Sequence, residues 1–296
     1  MPRSPRFNRL WLALALLSPS PVLAQVEVAS VPLIYDNPAH LGQAQSSRAC
    51  LSNNDTGNME VLAPLGGGGA SGSIPGIGIA PFMAETTDGF VVMTGMSAIV
   101  KRTKLGQFVT SKDYNPFLVQ VGPVLPLPGG EVLVAVDLAL RTFDGSLNEI
   151  ASFPTAMRDG SFGTVVGLAR RGDGVVFTCE RTVTGAYRLT AYGSAGGAIW
   201  DVPIPAGGPI ALCIGRIYVG HSSSSLDVYA SNGATMGSWS GPPGNPLSNI
   251  IDVTSSTTGD LLFTLTGAAG GPLRVFSVPP VSTVRKTWGE AKAAFR

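Results

Sequence analysis

The sequence has 296 residues, of which 13% are charged, 44% are hydrophobic, and 38 are glycine and 23 proline. Its 20 basic residues barely outnumber its 19 acidic residues, so the chain lacks the basic surface that nucleic-acid binding requires. The apolar fraction excludes a disordered chain, and the glycine and proline content is typical of a turn-rich all-β domain.

The first 24 residues have the layout of a secretory signal peptide. Three arginines, Arg3, Arg6 and Arg9, precede an apolar run at residues 10–17, and small residues follow up to Ala24. That run is too short to span a bilayer, which needs about 20 apolar residues. We therefore expect cleavage before Gln25 and an exported protein, periplasmic, cell-surface or extracellular, without membrane insertion. The mature chain would carry 17 basic and 19 acidic residues.

Residues 25–73 form an N-terminal segment that ends in a glycine-rich link at residues 66–73. Two stretches, at 28–35 and 59–62, have the composition of short strands. A polar turn at residues 53–58 lies between them, and it lacks the spaced acidic ligands of a calcium loop. The link lacks the Lys-Ser/Thr of a phosphate-binding loop, so we expect no ligand there.

One pattern recurs five times from residue 74 onwards. A glycine precedes a β-rich run at intervals of 41, 44, 41 and 44 residues. Each of the last four runs is followed by a leucine and, three residues later, an aromatic residue, whereas the first repeat has Ile99 to Arg102 instead. The glycines are Gly89, Gly130, Gly174, Gly215 and Gly259, and the pairs are Leu140/Phe143, Leu189/Tyr192, Leu226/Tyr229 and Leu273/Phe276.

A period near 42 residues with several strands per repeat predicts an all-β fold, a single β-propeller whose blades are four-stranded sheets. We expect five recognisable blades over residues 74–282, and a sixth if residues 25–73 complete one. The last repeat runs into Pro279 and Pro280, which interrupt strand pairing. Its outer strand must then come from elsewhere, and we expect residues 28–35 or 59–62 to add beside residues 273–278 and close the ring.

Residues 283–296 differ from the repeats. They have no β pattern, they are basic, and Trp288, Ala291 and Phe295 follow helical spacing. We expect a short C-terminal helix that packs on the outside of the propeller, or else serves as a handle for a surface or secretion partner.

Alternating strand directions predict two different ends of the disc. Tight glycine turns collect at one end, and longer loops collect at the other, including residues 180–186, 221–225 and 241–245. Propellers commonly bind ligands at the end with the longer loops, because loops vary on a rigid scaffold. The candidate binding residues at that end are Asp137, Glu180, Arg181, His221 and Ser222.

Two repeats resemble a known family. Residues 187–200 (YRLTAYGSAGGAIW) and 215–239 (GRIYVGHSSSSLDVYASNGATMGSW) carry a strand, an aliphatic-x-aliphatic-aromatic unit, a glycine turn and a tryptophan. This order is similar to the blade repeat of pyrroloquinoline-quinone-type propellers, within the WD40-like superfamily. The resemblance implies a propeller and, in function, either a quinone-dependent alcohol dehydrogenase or a non-catalytic outer-membrane assembly scaffold.

The chain departs from the dehydrogenases of that family. It has no adjacent cysteines, no C-x-x-C-H haem motif and fewer repeats than those enzymes. We therefore interpret Trp200 and Trp239 as structural residues on outer strands, and we expect the protein to bind no quinone cofactor and no metal.

Other motifs carry little chemistry. His221 precedes four serines, but nucleophilic catalysis also needs an orienting group and oxyanion donors, and no Gly-x-Ser-x-Gly motif is present. Arg171-Gly172-Asp173 spells an integrin-binding tripeptide at a position where other blades have a tight turn, so we interpret it as a turn. Cys50, Cys179 and Cys213 leave at least one free thiol, and whether two of them pair stays open.

The sequence therefore predicts an exported non-catalytic β-propeller that binds a protein or glycan partner. The alternative is a propeller enzyme, either quinone-dependent or a polysaccharide lyase or hydrolase with carboxylates at the channel mouth. A deep pocket with several converging ionisable groups would favour the enzyme.

Overall fold

The computed structural model describes residues 25–31, 33, 38–53, 58–65, 74–75, 82–95, 97–115, 119–221, 224–266 and 272–279. In this part of the chain the only helical element is a single 3₁₀ turn at Pro128–Gly130. All other regular structure is β-strand, organised in six four-stranded antiparallel sheets. The predicted all-β propeller is confirmed, and it has six blades.

The strands are numbered in chain order from β1 (Val26–Val31). Blade 1 consists of β2 (Pro38–Gln43), β3 (Ala49–Asn53), β4 (Asn58–Leu62) and β5 (Ile74–Pro75). Blade 2 consists of β6 (Phe82–Glu85), β7 (Phe90–Gly95), β8 (Ala98–Thr103) and β9 (Phe108–Asp113). Blade 3 consists of β10 (Val121–Pro126), β11 (Val132–Val136), β12 (Ala139–Phe143) and β13 (Glu149–Pro154). Blade 4 consists of β14 (Gly163–Arg170), β15 (Val176–Thr182), β16 (Tyr187–Tyr192) and β17 (Ala198–Ile204). Blade 5 is β18 (Ile210–Cys213), β19 (Arg216–Val219), β20 (Leu226–Ala230), β21 (Thr235–Trp239), and blade 6 contains β22 (Ile250–Ser255), β23 (Leu261–Thr266), β24 (Leu273–Ser277) and β1.

The first strands of the six blades contact one another in a closed cycle around the axis: β2, β6, β10, β14, β18, β22 and back to β2. Blade 6 obtains its fourth strand from the start of the fold, because β1 pairs antiparallel with β24. Of the two stretches expected beside residues 273–278, the earlier one lies there, as Val26–Val31, while the other belongs to β4. The expected boundary at residue 73 falls inside blade 1, which residues 38–75 form on their own.

Polar contacts hold the closing strand in place. Arg274 of β24 is buried and donates two hydrogen bonds to the Glu27 carboxylate of β1, from Nε to Oε1 at 3.0 Å and from Nη2 to Oε2 at 2.7 Å. Asn245 adds a third donor to Glu27 at 2.9 Å. A bidentate pair with low exposure is stronger than a solvated surface pair. Ring closure therefore rests on side chains as well as on the strand ladder.

Each interface between neighbouring blades contains one cluster of buried apolar residues. The leucine-aromatic pairs lie on third strands and explain how one blade serves two interfaces. Residues three apart on a strand point to opposite faces. Leu189 thus packs with Ile217 of blade 5, while Tyr192 packs with Leu140 of blade 3.

The repeated glycines occupy equivalent turns between the first and second strands of blades 2–6. Their φ angles are positive: 85° at Gly89, 83° at Gly130, 93° at Gly174, and 72° at both Gly215 and Gly259. Residues with a Cβ rarely adopt this conformation, so the turn selects glycine. Each lies one or two residues before its second strand, which confirms the repeat register.

All three cysteines are free and buried. Cys50, Cys179 and Cys213 lie in the clusters of three different interfaces, so a disulfide between any two would require a different fold. Cys213 is the last residue of the first strand of blade 5, and Cys179 lies in the middle of β15. Burial raises the pKa of Cys179 to about 12, so its thiol stays protonated at neutral pH.

The two ends of the ring carry different connections, as alternating strand directions predict, but the tight turns are not confined to one end. The turn end carries the connections between first and second strands and between third and fourth strands, which are tight except between β4 and β5, whereas β11 and β12 are joined at the other end by Asp137 and Leu138 alone. The long-loop end carries the remaining connections. In the described residues no helix is long and apolar enough to cross a membrane. The signal peptide, the glycine-rich link at 66–73 and the tail at 283–296 lie outside the described residues.

We predict that deletion of residues 25–31 abolishes cooperative folding, because blade 6 then exposes the edge of β24 and loses the Glu27–Arg274 pair. A chain that lacks residues 288–296 serves as the control and should stay folded. Solubility and thermal melting followed by circular dichroism measure both. A soluble, cooperatively melting 25–31 deletion would show that the ring closes without β1.

Candidate functional site

The central channel is nearly filled by the first strands. Its cavity has a volume of about 40 Å³ and is lined by residues of all six blades, most of them apolar. Glycines allow this close approach, since a Cβ on Gly42 would collide with the Met83 carbonyl and one on Gly167 with the Gly208 carbonyl. A space of this size holds a few water molecules rather than an organic cofactor.

A histidine-aspartate pair lies at the long-loop end of the channel. His40 Nδ1 is 3.1 Å from Asp252 Oδ2, and the same oxygen accepts a hydrogen bond from Leu41 N at 2.8 Å. Asp252 is buried, and the His40 ring lies 4.7 Å from the Phe82 ring. Among the described residues no group of three or more His, Cys, Asp or Glu side chains is placed to hold a metal ion. The sequence did not identify this pair, because its partners are 212 residues apart.

Glu180 was expected in a long loop, but it lies within β15 and is fully buried. It faces the interface between blades 3 and 4, where its Oε1 accepts hydrogen bonds from Thr178 Oγ1 at 2.5 Å and Tyr192 OH at 2.7 Å. Its Oε2 is buried and has no hydrogen-bond partner among the residues that the structure describes. Burial raises the pKa of Glu180 to about 7. Glu180 cannot touch a partner, so it is a structural acid rather than a binding residue.

Arg181, the next residue, is exposed at the long-loop end, and its side chain forms no ion pair or hydrogen bond with another described residue. It lines a surface cavity of about 240 Å³ between blades 3 and 4. We call this cavity the long-loop cleft, and its lining residues are Leu138, Phe162, Gly163, Thr164, Arg181, Thr182, Val183 and Gly185.

Three large apolar side chains of the long-loop cleft face solvent. Val183 is 96% exposed, Leu138 46% and Phe162 40%. They come from three separate connections, and none belongs to a buried cluster of the described residues. The sequence had no signal for them, since the three residues lie in three loops that are separated along the chain.

Asp137 precedes Leu138 in the chain but does not line the cleft. It has a positive φ of 53° in the turn after β11, and its Oδ1 accepts a hydrogen bond from Gln120 N at 2.7 Å. Its own N–H donates to Gln120 O at 2.8 Å. Asp137 therefore anchors the neighbouring loop that precedes blade 3.

His221 lies at the same end but on blade 5, with Nε2 3.4 Å from Asp227 Oδ2. That separation suits an electrostatic contact rather than a short hydrogen bond. Ser222 lies outside the described residues. The structure thus brings Asp137 and Arg181 to one place, and it places Glu180 in the interior and His221 on another blade.

The Arg171-Gly172-Asp173 tripeptide forms a hairpin turn, as the sequence predicted. Arg171 donates to Asp173 from Nε at 2.9 Å and from Nη2 at 2.7 Å, and Arg171 N donates to Val175 O. The hydrogen bonds from Arg171 lower the pKa of Asp173 to about 2. The Arg171 and Asp173 side chains are therefore paired with each other and do not point apart toward a binding partner.

Comparison with protein-family models gives no match, and comparison with curated proteins gives none either. The six-bladed propeller is therefore known from the structure and not from a sequence comparison.

The raised pKa of Glu180 predicts a pH-dependent stability. Between its ordinary value of 4.5 and about 7, the folded chain keeps Glu180 protonated while the unfolded chain releases that proton. The free energy of unfolding therefore falls by on the order of 3 kcal/mol as pH rises through this window, and it levels off at higher pH. Glu180→Gln keeps an acceptor for Thr178 and Tyr192 but cannot ionise.

We expect Glu180→Gln to be more stable than the wild type at pH 8 and close to it at pH 4.5, in urea unfolding at the two pH values. Glu131→Gln, at the turn end, is the matched control and should keep the wild-type pH dependence. A Glu180→Gln protein with unchanged pH dependence would show that Glu180 titrates normally in the folded chain.

Proposed function

We propose that the chain is an exported, non-catalytic binding scaffold that holds a protein partner at the long-loop cleft. The observation that carries the proposal is the group of three solvent-exposed apolar side chains, Leu138, Phe162 and Val183, beside the unpaired Arg181. Exposed apolar side chains grouped in one concavity, with polar groups at the rim, are typical of interaction sites.

The energetics favour this cleft as an anchor site. Full burial of an exposed Val, Leu or Phe side chain contributes about 1.5–3 kcal/mol. Val183 can contribute most of that amount, whereas Leu138 and Phe162 are already more than half buried and can contribute only part of it. The cleft sits on the hairpins of two packed blades, so its backbone is ordered before a partner binds. Arg181 adds a cation at the rim, which favours a segment with an acidic residue near its apolar residues.

A protein partner fits this cleft better than a glycan does. A sugar ring carries several hydroxyl groups, and a hydroxyl that is buried against apolar atoms without a hydrogen bond costs free energy. The polar side chains of the cleft are Thr164, Thr182 and Arg181, and Thr182 already has Ala186 O and Thr184 Oγ1 as hydrogen-bond partners. Apolar side chains of a protein segment match the remaining surface.

The enzyme alternative has weaker support in the described residues. An active site at the channel mouth would need a cavity that admits substrate, and the channel cavity is about 40 Å³. His40 and Asp252 form an oriented pair there, but general acid-base catalysis also needs a substrate within reach of the imidazole.

We further propose kinship with the non-catalytic secreted pyrroloquinoline-quinone-type repeat proteins. The support is the order of elements, since both matched repeats contain a third strand, a glycine turn and a fourth strand that carries a tryptophan. The two tryptophans differ in register, because Trp200 pairs with Ala191 near the start of β17 while Trp239 pairs with Leu226 at the end of β21. The kinship thus rests on the repeat and not on an equivalent tryptophan.

We predict that Val183→Asp weakens partner capture at least tenfold, about 1.4 kcal/mol, because a carboxylate replaces the most exposed apolar contact. Immobilised protein is incubated with the extracytoplasmic fraction of the source cells, and bound proteins are quantified by mass spectrometry. Arg181→Glu should weaken the capture of the same protein.

Leu105→Asp is the matched control. Leu105 is 80% exposed at the turn end of blade 2, so its replacement makes the same chemical change far from the cleft. The proposal requires a captured protein that Leu105→Asp retains and that Val183→Asp loses. Equal loss in both variants would mean nonspecific hydrophobic capture.

We also expect the purified protein to bind neither pyrroloquinoline quinone nor calcium, because such a cofactor needs a polar cavity with converging carboxylates and stacked rings. Trp200 and Trp239 lie on fourth strands, away from the axis. Isothermal titration calorimetry with the quinone and calcium together is the direct measurement. A stoichiometric heat with micromolar affinity would overturn the scaffold proposal.

A further inference from the structure

The turn end of the channel holds a second cavity, separate from the long-loop cleft. It has a volume of about 260 Å³ and is lined by side chains and turns of five blades. We call it the turn-end cavity, and its lining residues are Gln43, Gln45, Thr87, Pro126, Leu127, Pro128, Arg170, Arg171, Gly172 and Thr257.

The charged residues of this lining are both arginines. Arg171 is paired with Asp173, and two carboxylates at this end have cationic partners: Glu85 binds Arg48 and Lys104, and Asp88 binds Lys101. Arg170 is half-buried, and its side chain has no ion-pair or hydrogen-bond partner among the described residues. A partly desolvated guanidinium without a counterion is costly, and a bound anion would remove that cost.

The remaining lining is ordered and offers a neutral donor. Thr87 Oγ1 accepts a hydrogen bond from Gly130 N at 2.8 Å, so its O–H is left to donate. Gln43 and Gln45 are held by hydrogen bonds from their amide nitrogens to Ser256 O at 3.2 Å and Glu85 O at 2.9 Å. The cavity is therefore formed before any ligand arrives, which lowers the entropic cost of binding.

We propose that the turn-end cavity binds a small molecule that carries a carboxylate or phosphate group, with Arg170 as its principal contact. The planar fork of a guanidinium matches both oxyanions with paired hydrogen bonds. The cavity volume admits a ligand of metabolite size rather than a polymer segment.

The chain's own C-terminal segment is a poor occupant for this cavity. Residues 280–296 follow β24 from the turn end, but they carry Arg285, Lys286, Lys292 and Arg296 against the single acid Glu290. A cationic segment is repelled by a cavity whose charged lining is two arginines.

Isothermal titration calorimetry with sodium phosphate and with sodium succinate tests the proposal, at constant pH and ionic strength. We expect saturable one-to-one binding of at least one probe, and the probe that binds assigns the anion as phosphate or carboxylate. Arg170→Gln should weaken that binding at least tenfold. Sodium chloride at the same concentration should give no saturable heat.

Arg181→Gln is the matched control, because the Arg181 side chain is also unpaired among the described residues but lies at the long-loop end of the ring. The affinity of this variant for the probe should equal that of the wild type. Arg170→Lys keeps the positive charge but loses the planar guanidinium, so its affinity should lie between those of the wild type and Arg170→Gln. It replaces Arg170→Gln in the experiment if that variant folds poorly. Absence of saturable heat from both probes, or equal affinity in the wild type, Arg170→Gln and Arg170→Lys, would overturn the proposal. These outcomes leave the long-loop cleft untested, so the two proposals fail separately.

Discussion

Every blade of this protein buries its two faces against neighbouring blades, and the whole structure depends on that mutual coverage. A single four-stranded sheet exposes an apolar surface on each side, so no blade is stable alone. The six clusters between blades make a continuous ring, and β1 completes the last sheet so that the ring has no open interface. The pairing of Glu27 with Arg274 fixes the closing strand by joining the two ends of the described chain.

Ring closure also explains why the centre is unsuited to a large ligand. Six first strands meet at the axis, and glycines such as Gly42 and Gly167 let their backbones approach closely. The space that remains is found at the two ends, where the connections spread outward. One end holds the apolar long-loop cleft and the other the turn-end cavity with its two arginines, so the scaffold separates two kinds of recognition surface.

Burial decides the role of individual residues more than their position in the sequence does. Glu180 and Arg181 are neighbours, yet Glu180 enters the blade interface while Arg181, one residue nearer the end of β15, reaches solvent. Alternation of side chains along a strand sends Leu189 and Tyr192 to different interfaces. A one-residue change of register would exchange these roles.

The sequence by itself determined the all-β class, the repeat length, the glycine turns and the distinction between the two ends, because these follow from local patterns that repeat along the chain. Only the tertiary structure decided the blade count, the strand that closes the ring, the separate locations of the three cysteines and the residues of both cavities. The physical reason is separation along the chain: His40 meets Asp252, and Leu138 joins Val183, through contacts that no local pattern encodes.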